Sequence, residues 1–403
     1  MEELRFDGVF YVALVALSAP LITRLVPRLR LPAVAVEIVL GVILGPSVLD
    51  LVHLDLPLQV FGAAGLAYLL FLGGLEIDLS ALHGRVAKLL LAWGASCAIA
   101  LGASLLIFQI DRVDKPIMIA IALASTSLGL VVPVLRDTGE TRSPFGQTLL
   151  AASSVAEFGA LLLVSIFFST SGTDAGSNLF LLATFGLAIV VAGVTLARAG
   201  TRTNLFSALD MLADSASQTR VRGIMVVLFF FVALAGKLGF EAILGSFSAG
   251  VLLRFLDRDG RLEEEKLRYK IDAIGYGFLV PMFFVTSGLK INVKALFDSP
   301  RALLLIPVLV VAMLVVRGVP MLLFRASFDR RRLFAGGLLS GVNLSFMVIV
   351  SSIGQQEGII DAPTGAGMVL AGVVTVILFP PVAVAIFPRT EDLDPDWDEI
   401  AAP

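Results

Sequence analysis

Of the chain's 403 residues, 57% are hydrophobic and 16% charged, against about 25% charged in an average soluble domain. No soluble core absorbs that excess: the apolar residues fall in runs of roughly 17 to 25, the length an α-helix needs to cross a hydrocarbon layer about 30 Å thick. The formal net charge is −3 and the basic residues sit in the breaks between runs rather than along one stripe, which argues against nucleic acid and leaves the lipid bilayer as the partner.

In chain order the predicted spans are 8–26, 33–49, 59–77, 86–109, 116–137, 144–170, 178–199, 219–237, 241–256, 271–289, 301–325, 332–354 and 363–388. This is an all-α integral membrane protein of about thirteen transmembrane helices. The first span reads as a retained helix, because Met1 to Asp7 carries more acid than base and a normal-length span follows. Cys97, the single cysteine, lies in a span as a packing residue and can form no internal disulfide. Lys and Arg are roughly three times as frequent in one alternate set of loops as in the other, so the expectation is an N-terminus outside and a C-terminus in the cytoplasm of a cell membrane. The largest soluble segments are 254–270, which is basic, and the acidic tail 389–403. Neither is long enough to fold alone, and no attached nucleotide-binding domain is expected.

Two spans carry helix-weakening residues at mid-membrane depth. The fifth, IALASTSLGLVVPVLRDTG, has Ser125, Thr126, Ser127 and Gly129, with Pro133 after them. The twelfth, FAGGLLSGVNLSFMVIVSSIG, has Ser340, Gly341, Asn343 and Ser345. Each pattern fits either close helix packing through small residues or a stretch of unwound backbone lining a site. The two spans run in opposite directions through the membrane, as an inverted repeat with paired broken helices requires, and this favours the second reading.

The sixth span, TLLAASSVAEFGALLLVSIFF, holds Glu157 near the middle of its hydrophobic run. An ionised, unpaired carboxylate at that depth costs several kcal/mol, so Glu157 is paired, protonated or in contact with ions. Ser153 and Ser154, one turn earlier on the same side, add neutral oxygens to a monovalent-cation site in which cation and proton compete for one carboxylate. A permanently protonated or salt-bridged packing role is the plainer alternative. Arg317, in LVVRGVPMLLF, is the other deep charge. It is either an interior cation paired with a carboxylate or helix carbonyls, or a side chain snorkelling to the interface. Glu37 lies nearer a helix end, where a scaffold role outweighs one in an ion path.

The segments EIVLGVILGPSVL, GLAYLLFLGGLEIDL, ALASTSLGLVVPVLRDTGE, KLGFEAILGSFSAGVLL, PMFFVTSGLKINV and GVNLSFMVIVSSIG, in this order, resemble the monovalent cation/proton antiporters of the second family, the Kef-type and NapA-type proteins. The resemblance implies a NapA-like fold with an inverted repeat and two crossing broken helices, and a homodimer. It implies scaffold helices in 7–77 and 219–289, a linker helix at 178–199 and an ion-translocating core in 86–170 and 301–388. No cofactor is implied; Na⁺ or K⁺ and H⁺ are the cargo, with Ser125 and Thr126 joining Glu157, Ser153 and Ser154 as candidate ligands. Where the family carries a pair of polar residues in the sixth span, this chain has Ala156 and Glu157. Glu157 therefore inherits the essential carboxylate, and a single carboxylate implies electroneutral exchange. Arg317 matches the family's basic residue, which in relatives with two acids pairs with the first. Here that partner is missing, so Glu157 or another acceptor takes its place.

Two other functions stay open at this stage: proton-coupled transport of another solute on the same architecture, and a sensor or partner subunit without transport, prompted by Ala156. An enzyme is not expected, since there is no His-Glu-x-x-His pair and both histidines, His53 and His83, fall in loops.

Overall fold

The computed structural model describes residues 6–25, 33–76, 86–107, 115–140, 143–167, 183–189, 191, 218–240, 242–257, 265–291, 293–297 and 299–386. Among them every regular element is a helix. Nine described helices are long and apolar enough to cross a membrane, and three apolar ones are shorter. We label them α1 (Asp7–Leu25), α2 (Ala33–Leu44), α3 (Leu56–Leu75), α4 (Val86–Ile107), α5 (Pro116–Ala124), α6 (Leu128–Asp137), α7 (Pro144–Phe167), α8 (Thr219–Lys237) and α9 (Ala242–Leu256). The remainder are α10 (Lys266–Leu289), α11 (Val293–Phe297), α12 (Pro300–Gly318, continued by a 3₁₀ turn Val319–Phe324), α13 (Arg330–Ser340), α14 (Ser345–Gln356) and α15 (Ala362–Ile386). The expected linker span 178–199 falls outside the described residues except for a helical stretch at 183–189 and residue 191, and the acidic tail 389–403 and His83 lie outside them.

Two boundaries differ from the hydropathy reading, each for a polar reason. The second span stops at Leu44 rather than 49: Gly45 and Pro46 follow, and the Ser47 hydroxyl holds the turn by donating to Ile291 O (2.9 Å) and accepting from Val293 N (3.1 Å). The tenth begins at Lys266 rather than 271. Arg268 pairs with Asp272 one turn on (3.1 Å) and with Glu76 (3.4 Å), which makes a polar turn helical where hydropathy sees a loop.

By its contacts the chain divides into two compact units, 1–83 with 157–298 and 84–156 with 299–403, and one division falls within α7, between Ala156 and Glu157. In the first unit α3 packs on α9 and on the second half of α10, while α2 runs along Val280–Leu289. Contact between α3 and α9 depends on glycine: a Cβ on Gly74 would stand 2.4 Å from Phe247 O, and one on Gly250 2.2 Å from Phe71 O. Without hydrophobic drive between helices in lipid, such backbone approach supplies the dispersion contact that holds them. Tyr68, Phe71, Phe231 and Ile271 fill the core beside it, with Tyr68 donating to Ile271 O at 3.1 Å.

In the second unit α12 touches α4, α5, α13 and α15, and α15 also packs on α13 and α14. In an 18-residue apolar stretch of Arg330–Gln356, 94% of the residues are buried, against 17% in such a stretch of α1, so the interrupted twelfth span is an interior element and α1 a peripheral one. Large side chains such as Phe10, Leu14, Leu17 and Leu21 on α1, and Leu90, Leu101 and Leu105 on α4, are exposed. Apolar surface on that scale belongs against acyl chains rather than water.

Candidate functional site

The fifth and twelfth spans are both broken. α5 ends at Ala124 and α6 starts at Leu128; α13 ends at Ser340 and α14 starts at Ser345. A helix end leaves carbonyls and amides without intrahelical partners, and in a membrane interior each must find one. Here each break supplies the other. Ser127 N donates to Val342 O (2.9 Å), and the Thr126 hydroxyl donates to Ser340 O (2.7 Å). The Ser127 hydroxyl accepts from Leu344 N and Ser345 N, both at 3.1 Å, and so caps the start of α14 from the opposite span. Asn343 Nδ2 donates to Ala122 O, a terminal carbonyl of α5, to which the Ser125 hydroxyl also donates (2.7 Å). Asn343 N reaches the Thr375 hydroxyl of α15 at 3.3 Å. All of these residues are buried, with Ser125, Thr126 and Asn343 at 0% exposure.

Arg317 enters this crossing from α12. It is 5% exposed, and its guanidinium donates to Thr126 Oγ1 (2.8 Å), Ser96 Oγ (2.9 Å) and Ala152 O (3.5 Å). Burial with interior acceptors is incompatible with snorkelling to the interface. All three acceptors are neutral. Each hydroxyl serves twice, since Ser96 donates onward to Ala92 O (3.1 Å) and Thr126 to Ser340 O. Through Thr126 the cation is linked to the last carbonyl of α13, the negative end of that helix dipole.

On α7, Glu157 is 3% exposed, and Ala156 beside it is 0% exposed. Ser153, one turn before Glu157 on this continuous helix, has a buried hydroxyl with no hydrogen-bond partner among the described residues; Ser154 donates to Leu150 O at 2.9 Å. The structure thus brings Thr126, Ser127, Asn343, Ser345 and Arg317 into one network. The Ser125 hydroxyl is turned back on its own helix, Gly341 caps the end of α13, and Gly129 lies in the first turn of α6 rather than in the break. Elsewhere, Glu37 is 5% exposed on α2, and His53 is an exposed side chain 3.6 Å from Asp50. Ser96, Thr375 and Trp93 were not singled out from sequence. The available signal was weak: a hydroxyl or indole within an otherwise apolar span, which needs a partner wherever it is buried.

A family model described as sodium/hydrogen exchanger, transmembrane, matches residues 13–387. The chain belongs to the sodium/hydrogen exchanger family. It is 31% identical to a Bacillus subtilis protein named as the Na⁺/H⁺ antiporter YjbQ, over 94% of this chain and 63% of that protein, so it spans less than two thirds of that relative's length. It is 26% identical to a Methanocaldococcus jannaschii protein named as Na⁺/H⁺ antiporter 3, over 94% of this chain and 97% of the other. The fold of this sodium/hydrogen exchanger is similar to the solved structure of the sodium proton antiporter MjNhaP1 from M. jannaschii at pH 8, with TM-score 0.61 and 18% identity over 94% of this chain and 95% of that one. The family consists of secondary transporters, not enzymes.

Proposed function

We propose that this exchanger moves Na⁺ or K⁺ against H⁺ across a cell membrane, with Glu157 as the group that holds either ion in turn. The observation that carries the reading is a carboxylate 3% exposed near the middle of a membrane-length helix, in a family whose business is proton exchange. A carboxylate so placed is stable only with a proton, a cation or a fixed partner, and alternation between the first two is exchange. Ser153 supports it, since its hydroxyl one turn away has lone pairs for a hard cation. With Ala156 beside it contributing no second acid, one monovalent cation replaces one proton and the cycle is electroneutral. Thr126 and Ser125 remain candidate ligands at the crossing, and Arg317 is a fixed charge that holds it. A scaffold of 7–77 and 219–289 forms the homodimer, and a core of 86–170 and 301–388 carries the ion. The two-unit division of the chain supports this grouping for 7–77 with 219–289 and for 86–156 with 301–388, whereas Glu157 and the rest of α7 group with the first unit. The N-terminus faces out and the C-terminus the cytoplasm.

The test is purified protein in proteoliposomes with an internal pH dye, scanned over Na⁺, K⁺ and Li⁺. Dequenching on addition of Na⁺ or K⁺, absent in Glu157→Gln, is expected. Silence with all three ions in protein shown to be folded refutes the reading.

A further inference from the structure

A small cavity lies inside the second unit, lined by Leu89, Ala92 and Trp93 of α4, Ala152 of α7, Arg317 and the turn after it, and Ser340 at the end of α13. It has room for about one water molecule. Two of its lining side chains, the Trp93 indole and the Ser340 hydroxyl, have buried polar atoms with no hydrogen-bond partner among the described residues, and Ser340 is 1% exposed. A third, Arg317, has five N–H donors; its contact with Ala152 O, at 3.5 Å, is at the outer limit for a hydrogen bond. Polar groups buried in this way are normally satisfied, and two of them facing a water-sized space beside the Arg317 guanidinium are the lining of a hydration site.

We propose that the cavity binds a single ordered water that accepts from the Trp93 indole N–H and the Arg317 guanidinium and donates to Ser340 Oγ. Three partners is the usual number for a buried water. The water closes a ring: Arg317 reaches the end of α13 through Thr126 to the Ser340 carbonyl on one side, and through the water to the Ser340 hydroxyl on the other. It thereby ties α4 to the broken-helix crossing, and Trp93 and Ser340 are its positioning residues. A halide would meet the same two N–H donors and a Ser340 hydroxyl turned to donate, but the volume suits water. Neither the site nor its test depends on which ion the protein exchanges.

The experiment uses the full chain with Trp397→Phe, which leaves Trp93 as its single tryptophan, in detergent and in vesicles. Ultraviolet resonance Raman spectroscopy reads whether the indole N–H is hydrogen-bonded. The expected result is a hydrogen-bonded signature in this parent, unchanged when chloride is replaced by gluconate, and a shift to the free-indole position when Ala92→Val narrows the cavity. A free indole in the parent would overturn the proposal. So would a bonded signature that survives the filling, which would mean a protein acceptor, or one that follows chloride, which would mean a halide. If Ala92→Val does not fold, Ser340→Ala in the same background is expected to weaken the signature without abolishing it, and a cryo-EM map of the parent should show a peak within hydrogen-bond distance of all three groups. A parent map without that peak overturns the proposal as well.

Discussion

Replacing Ser127 by alanine removes one oxygen and orphans two buried backbone amides. Leu344 N and Ser345 N both donate to that hydroxyl at 3.1 Å, they open α14, and the α14 N-cap residue Leu344 offers no capping side chain. An unsatisfied buried donor costs about 1–3 kcal/mol, which for two amides sums to about 2–6. Interhelical side-chain hydrogen bonds in membrane proteins average only about 0.6 kcal/mol, because the loosened state finds other partners. Leu344 and Ser345 are 0% and 4% exposed in the most enclosed of the described membrane-length helices, so the lower end of the first range, about 2–3 kcal/mol, is the expectation. For a body of 150–250 residues, each kcal/mol moves the midpoint by roughly 2–4 °C, giving a fall of about 4–12 °C. The assay is thermal unfolding of purified protein in detergent at one fixed scan rate, with Ser127→Thr as the control that keeps the oxygen. An alanine variant within about 1 °C of the parent would show that the cross-cap does not hold the crossing together.

Glu157→Gln should abolish cation-dependent proton movement in proteoliposomes while the thermal midpoint stays near the parent's, since glutamine keeps volume and polarity but exchanges no proton; Glu157→Asp should keep part of the rate. Parent rates in Glu157→Gln would remove this residue from the mechanism. Arg317→Lys should be tolerated better than Arg317→Ala, in stability first and rate second, because an ammonium can still donate to Thr126 or Ser96 but cannot span the forked set that the guanidinium reaches. An alanine variant as stable and active as the parent would dissolve the structural role of the charge. Exchange should be indifferent to voltage: with one charge in and one out, a potassium diffusion potential set by valinomycin on sodium-loaded vesicles, worth roughly 2.3 kcal/mol per net charge per 100 mV, should leave the rate unchanged. A clear voltage dependence would show that a second charge moves.

The membrane class, the approximate spans and the two breaks were legible in the residues themselves. Hydropathy acts locally: a run of apolar side chains must leave water wherever the rest of the chain goes, and Ser125–Ser127 and Gly341–Ser345 weaken a helix in any surroundings. The same locality explains the misplaced ends at Leu44 and Lys266. There the outcome turned on Ser47 meeting Ile291 and on Arg268 meeting Glu76, partners distant in sequence.

Glu157 could be marked from sequence because a lone carboxylate deep in an apolar run is costly by itself. What Arg317 would hold could not be read in that way. Its need for acceptors was plain, but with Ala156 in place of an acid the choice among carboxylate, carbonyl and hydroxyl depended on which helices approach α12. Only the tertiary structure supplied Ser96 and Thr126, and only it showed that each broken span caps the other. A hydrogen bond is decided by a few tenths of an ångström between groups that can lie 200 residues apart, whereas the cost of leaving a charge or an amide without a partner is written into the side chain and the backbone from the start.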